Sequence, residues 1–205
     1  MIRLSQEEGG LWIATIDRPE KANSLTARML EELCDIAEDA LTGARALVLT
    51  GTGKVFSAGA DLEAAKAGLA VSPLWERLSG AIARHPGLTV CALNGTVAGG
   101  AMGMALACDL RVSVAGAKLF YPVMKLGFLP QPSDPERLRA LIGPSRAKMI
   151  LMAGRKVPVE EALSWGLIDS VVTGELLGEV RAMAADTLGA EAGHARAIKG
   201  LIGGI

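Results

Sequence analysis

Fully apolar runs and helically spaced stripes take turns along the chain. Residues 11–16 are short, apolar and β-branched and end at Asp17-Arg18-Pro19, which predicts a strand and a turn. From Thr26 onward Met29, Leu33, Ile36, Ala37 and Ala40 keep helical spacing. Glu31, Glu32, Asp35, Glu38 and Asp39 take the other side, and Gly43 closes this helix. Residues 46–50 are apolar throughout, as expected of a strand covered on both faces of a parallel sheet. Two helical pieces broken near Ser72-Pro73 are predicted over 61–85, a buried strand over 89–93, a small-residue helix over 99–107 and a third strand over 110–114. Helices follow around 135–142 and 145–153. Pro158 opens a short helix ending at Gly166, a strand covers 168–172, and 175–202 is helical. Strands alternating with helices predict an α/β architecture, with a core domain over 1–174 and a short helical C-terminal region over 175–205.

Two glycine-punctuated segments lie where strands give way to helices. They are Val55-Phe56-Ser57-Ala58-Gly59-Ala60-Asp61-Leu62, and Asn94-Gly95 followed by Ala98-Gly99-Gly100-Ala101-Met102-Gly103. Backbone without side-chain bulk can come close to a ligand, and N–H groups at such turns can be aimed at developing negative charge. The pair reads as a two-donor oxyanion hole. The plainer alternative is that Gly99, Gly100, Ala101 and Gly103 let a helix pack tightly on the sheet.

Composition narrows the field. The chain has 205 residues, half of them apolar and 21% charged, enough for a substantial core. A net charge of −1 without a basic stripe argues against nucleic-acid binding and against general attraction to membranes. No apolar run reaches the roughly 20 residues of a span, and Met1–Glu8 lacks a secretory segment. Cys34, Cys91 and Cys108 sit in apolar surroundings without a CxxC, as buried residues in a reducing cytoplasm would. Gly51-Thr52-Gly53-Lys54 is too short for a phosphate-binding loop and has Val55 where magnesium would need a hydroxyl. Val55 also replaces the first glycine of a nucleophile elbow. His85 and His194 lie near no cluster of metal-ligating residues, so no metal is expected.

Four stretches together resemble the enoyl-CoA hydratase/isomerase, or crotonase, family. They are Asp17-Arg18-Pro19-Glu20-Lys21-Ala22-Asn23-Ser24-Leu25; Leu47–Gly51 with Phe56–Leu62; Asn94-Gly95 through Gly99-Gly100 to Cys108-Asp109-Leu110; and Ala162-Leu163-Ser164-Trp165-Gly166-Leu167-Ile168-Asp169. The resemblance spans about residues 2–175. It implies a spiral of ββα units that binds a bent acyl-CoA, with coenzyme A as part of the substrate and no separate cofactor. By the same resemblance the amides of Ala60 and Gly100 polarise the thioester carbonyl. Lys21, Ala22, Ser57, Ala58 and Leu62 contact the coenzyme A portion, with Lys21 and Lys54 near phosphates. A homotrimer or dimer of trimers is implied as well.

The likeness breaks where the family's hydratases carry two glutamates: those positions are Gly103 and Val123 here. The usual glycine-rich stretch reads Leu126-Gly127-Phe128-Leu129-Pro130-Gln131-Pro132-Ser133-Asp134-Pro135-Glu136. Asp134 is the leading replacement acid or base, with Tyr121 and Glu136 behind it. The alternative for Asp134 is a helix N-cap before Pro135. The expectation is an enzyme that stabilises a thioester enolate without two-glutamate hydration. Its rivals are a catalytically silent acyl-CoA-binding relative or structural partner of an active homologue, and a serine or cysteine thioesterase-like hydrolase using Ser57 or Cys91; His85 reads as a helix-end or loop histidine before a member of a Ser–His–acid triad.

Overall fold

The computed structural model describes residues 1–191 and 193–203. Its larger sheet is built from the apolar runs. Ile2–Glu7 (β1), Leu11–Ile16 (β2), Ala46–Gly51 (β3), Leu88–Leu93 (β5), Leu110–Val114 (β7) and Ser170–Val172 (β10) form six strands in the order β1-β2-β3-β5-β7-β10. Only the β1–β2 pair is antiparallel. β1 was not predicted. Its Arg3, Ser5 and Gln6 are exposed, so this edge strand lacks the apolar run that reveals the buried ones.

Side chains alternate across the sheet and build a core on each face. Ala46, Val48, Val90 and Ala92 meet Leu176, Val180 and Ala184 of Leu176–Gly189 (α8), which repeat at helical spacing. Leu47, Leu49, Cys91 and Leu93 point the other way. There they pack with Ala27–Gly43 (α1), Leu74–Ala83 (α3) and Ala101–Ala107 (α4). Cover on both faces explains why 46–50 is apolar without a break. The predicted start of α1 is held by Thr26, whose Oγ1 accepts from Met29 N at 3.3 Å.

A smaller sheet joins Val55–Ser57 (β4), Thr96–Ala98 (β6), Lys118–Phe120 (β8) and Val157–Pro158 (β9), in that order. Each large-sheet strand β3, β5 and β7 runs into one of these short strands and then a helix. The helices are Leu62–Lys66 (α2), α4 and Val123–Leu126 (α5). Three successive ββα units result, as the family resemblance implied. The predicted break between two helices falls within Asp134–Leu151 (α6), at Gly143 (φ 75°) and Pro144. Val159–Trp165 (α7) and His194–Ile202 (α9) complete the chain. Lys199 of α9 donates to His85 O, Gly87 O and Asp109. Among the described residues no helix is long and apolar enough to cross a membrane, and no group of three potential ligands could hold a metal.

Candidate active site

The small sheet carries both glycine turns. β4 ends at Ser57, whose hydroxyl donates to Asn23 O at 2.8 Å and accepts from Gly59 N at 3.1 Å. Gly59 then turns at φ 88°. A Cβ there would stand 2.9 Å from Ala98 O and 3.3 Å from Gly100 N, so the two turns touch backbone to backbone. Only glycine satisfies both the angle and the approach. A short bridge with Leu25 fixes the next residue: Leu25 N donates to Gly59 O and Asp61 N to Leu25 O, each at 2.8 Å. The N–H of Ala60 therefore faces away from Leu25. Among the described residues it meets no acceptor.

The second turn mirrors the first. β6 ends at Ala98, and Gly99 (φ 58°) donates to Phe120 O at 3.2 Å. Met102 N and Gly103 N return to Gly99 O and Gly100 O. The N–H of Gly100 finds no acceptor among the described residues. The Trp75 ring lies against Gly100, 3.0 Å from where a Cβ would be, and is itself held by a 2.8 Å bond from Nε1 to Leu69 O. Neither amide is engaged in sheet ladders, and their turns are in contact.

Asn23 locks this arrangement and was not singled out from sequence. It is fully buried at φ 53°. Its amide donates to Thr52 O (2.8 Å) and Val55 O (2.6 Å), and its oxygen accepts from Arg18 N (2.8 Å). Arg18 also pairs with Asp61 at 2.8 Å, which holds that carboxyl below its ordinary range while it caps α2. The signal was an asparagine at a turn, where the left-handed region is tolerated.

Among the residues expected to contact coenzyme A, the turn at Lys21-Ala22 is tied to the first oxyanion segment by Ala58 N donating to Ala22 O at 3.0 Å. Lys21, Lys54 and Ala58 are exposed, as is Leu62 at 77%. Ser57 is different. Its side chain is fully buried, and its hydroxyl is committed to the turn. Cys91 is also fully buried, and burial pushes its thiol well up. His85 is buried with Nδ1 accepting from Gly87 N, and burial pulls its pKa down. Among the described residues neither Ser57 nor Cys91 bonds to a histidine that could activate it as a nucleophile.

Asp134 is completely buried. Its carboxylate does not cap α6; it turns inward, accepting from Tyr121 Oη at 3.0 Å, with Arg137 Nη1 3.6 Å away. A Cβ on Gly103 would stand 2.9 and 3.1 Å from the two Asp134 oxygens. The absent side chain of Gly103 is thus replaced in space by a carboxyl from α6. Gly103 is one helical turn beyond Gly100, roughly 4.5 Å along the axis. Burial lifts the Asp134 pKa to about 7; Tyr121 and Arg137 oppose the rise and Glu76 adds to it. Burial and Asp134 also raise Tyr121 above its usual range.

The proline-rich loop before α6 is pinned to α3 and the turn preceding it. Gln131 Nε2 donates to Ala70 O at 3.1 Å, Ser133 N to Glu76 at 3.1 Å, and the Ser133 hydroxyl to the same carboxylate. Gln131 N donates to Tyr121 Oη at 3.3 Å. Glu136 instead faces solvent beside Arg139, so its reserve candidacy is withdrawn. Val123 is buried at the start of α5.

The sequence profile of the enoyl-CoA hydratase/isomerase family matches residues 6–202. The chain belongs to that family. Among its relatives is the 1,2-epoxyphenylacetyl-CoA isomerase of Escherichia coli, 31% identical over an aligned length of 187, with 86% of this chain and 71% of that protein covered. The enoyl-CoA hydratase structure from Bacillus anthracis superimposes with a TM-score of 0.86 at 30% identity, covering 98% of this chain and 81% of that one. Pseudomonas aeruginosa DspI superimposes with a TM-score of 0.88 at 31% identity, covering 98% and 79%. The crotonase-like fold and an enzyme family acting on acyl-CoA follow from these matches.

Proposed function

We propose that this family member binds an acyl-CoA with its thioester oxygen between the N–H groups of Ala60 and Gly100, and that Asp134 is its single acid–base group. As carboxylate, Asp134 removes a proton from the carbon next to the thioester carbonyl. The electron pair moves onto the carbonyl oxygen, and the enolate is held by the two amides. The proton then returns from the same carboxyl to carbon, at the original position or further along a conjugated chain. The second outcome shifts a double bond. Coenzyme A lies along Lys21-Ala22 and Ala58, with Lys21 and Lys54 beside its phosphates.

One observation carries this reading: a buried carboxyl with a pKa near 7 lies against Gly103, one turn from a Gly100 N–H that has no acceptor. A group that must both take and return a proton works best when its pKa is near the working pH. Hydration would need a second carboxyl to hold water, and Gly103 and Val123 offer none.

Hydrogen–deuterium exchange at the α-carbon of butyryl-CoA and of vinylacetyl-CoA, followed by NMR, reads enolisation whatever the net reaction. Exchange is expected in the wild type, falling roughly 10²–10⁴-fold in Asp134→Asn, with thioester affinity held within a few-fold. Binding without any exchange would favour the silent-relative reading. Exchange unaffected by Asp134→Asn would remove Asp134 from the mechanism.

A further inference from the structure

Arg137 is a buried cation without a hydrogen bond. It is only 8% exposed, and among the described residues its guanidinium donates to no oxygen. Among the described residues the wholly buried Nη1 has no hydrogen-bond partner, because 3.6 Å to Asp134 Oδ1 exceeds hydrogen-bond length. The group carries five donors and cannot give up its charge. Leaving such a charge in the interior without an acceptor is costly.

Arg137 also lines a cavity of about 390 Å³ between α3, α4, α6, α8 and α9. That volume falls within the range of small-molecule sites. Leu88, Leu106, Leu110, Ile198 and Ile202 make its walls apolar. The other cation there, Lys199, is already bonded to His85 O, Gly87 O and Asp109. Among the described lining residues, Arg137 is therefore the positive group without a hydrogen bond, its nearest carboxylate being Asp134 at 3.6 Å.

We propose that this cavity binds a short to medium aliphatic carboxylate, with the chain along the apolar walls and the carboxylate paired to Arg137. A guanidinium and a carboxylate match in charge and in planar, two-bond geometry. A doubly charged anion fits poorly, since the walls would desolvate it and Asp109 also faces the space. A cation is disfavoured by Arg137 and Lys199. The carboxylate has two sources: a free fatty acid, or the far end of an acyl thioester built on a dicarboxylic acid. The first is independent of the thioester chemistry above, and the second rests on it.

The test is calorimetric titration of octanoate and of octanol, which has the same chain without charge. Octanoate is expected to bind at one site, roughly ten- to hundredfold more tightly than octanol. Arg137→Gln should bring octanoate down to the octanol level. Ile198→Trp, on the half-exposed face of α9 and bulky enough to fill the cavity, should weaken both, so the proposal stays testable even if Arg137→Gln fails to fold. Adding hexanoyl-CoA or adipyl-CoA separates the sources. Competition by adipyl-CoA alone, lost in Arg137→Gln, assigns the carboxylate to the substrate; competition by neither assigns it to a free acid. Absence of octanoate binding, or octanoate binding unchanged in Arg137→Gln and Ile198→Trp, overturns the proposal. Octanoate titration needs no turnover, so its failure is distinct from failure of the enolate reading.

Discussion

The two halves of the candidate site are built from different materials. In the proposed mechanism the donors are the main-chain N–H groups of Ala60 and Gly100, set by turns that follow β4 and β6, and no side chain is needed to supply them. The proposed proton-handling half is a side chain, Asp134 of α6, which follows a loop anchored on Glu76 of α3. A backbone half tolerates sequence change as long as its turns survive. A side-chain half can be moved to another element, and here a carboxyl from α6 occupies the space beside Gly103. The difference suggests how one family frame could carry altered chemistry: the charge-stabilising part stays while the proton carrier changes place.

The strongest way to break this comparison is to remove a backbone donor. Gly100 has φ −58°, which proline adopts, and its N–H makes no bond that the fold would miss. Gly100→Ala adds the Cβ against Trp75 but keeps the N–H, so the pair of variants separates crowding from donation. Exchange in Gly100→Pro should fall roughly 10²–10³-fold below Gly100→Ala. Equal rates in both would mean the amide plays no part.

The side-chain half should reveal itself in stability. A carboxyl whose folded pKa lies near 7, above its unfolded value of 3.8, binds its proton more tightly in the native state. Its contribution is full below about pH 4 and is lost as pH rises toward 7. Relative to Asp134→Asn, the wild type should therefore lose on the order of 3–4 kcal/mol across that window. Urea unfolding at a series of pH values measures this, and a constant difference would contradict it. The same titration creates the catalytic base, so activity should rise with pH where stability falls.

Tyr121→Phe gives the smallest effect. The Tyr121 hydroxyl holds the Asp134 pKa down, so its removal should move the midpoint of the pH–rate profile upward by about one unit or less. A downward move would show that the hydroxyl stabilises the protonated acid instead.

The large sheet was legible because burial on both faces writes itself as unbroken apolar sequence. The small sheet was not. β4, β6 and β8 have three residues each, too few for a period to appear. The glycine turns could nevertheless be found, because their spacing is a backbone requirement. Asp134 was identifiable as a carboxyl in the wrong place, but its contact with Gly103 depends on how α4 and α6 cross. Glu136 failed for a simple reason: two residues along a helix is about 200° of rotation, which carries it from the interior to solvent. The bonds of the Ser57 hydroxyl within the turn could not be read from sequence, because a hydroxyl beside a glycine turn looks the same there whether it serves a ligand or the turn.

The close seating of Gly59 on Gly100 N has a consequence for any dissection of the site. Spacing between the donors is one mechanical dimension shared by two loops, so pressure on either is transmitted to its neighbour. Substitutions at 59 and 100 should then be strongly non-additive in a double-mutant cycle, and rate losses measured singly would count the same displacement twice.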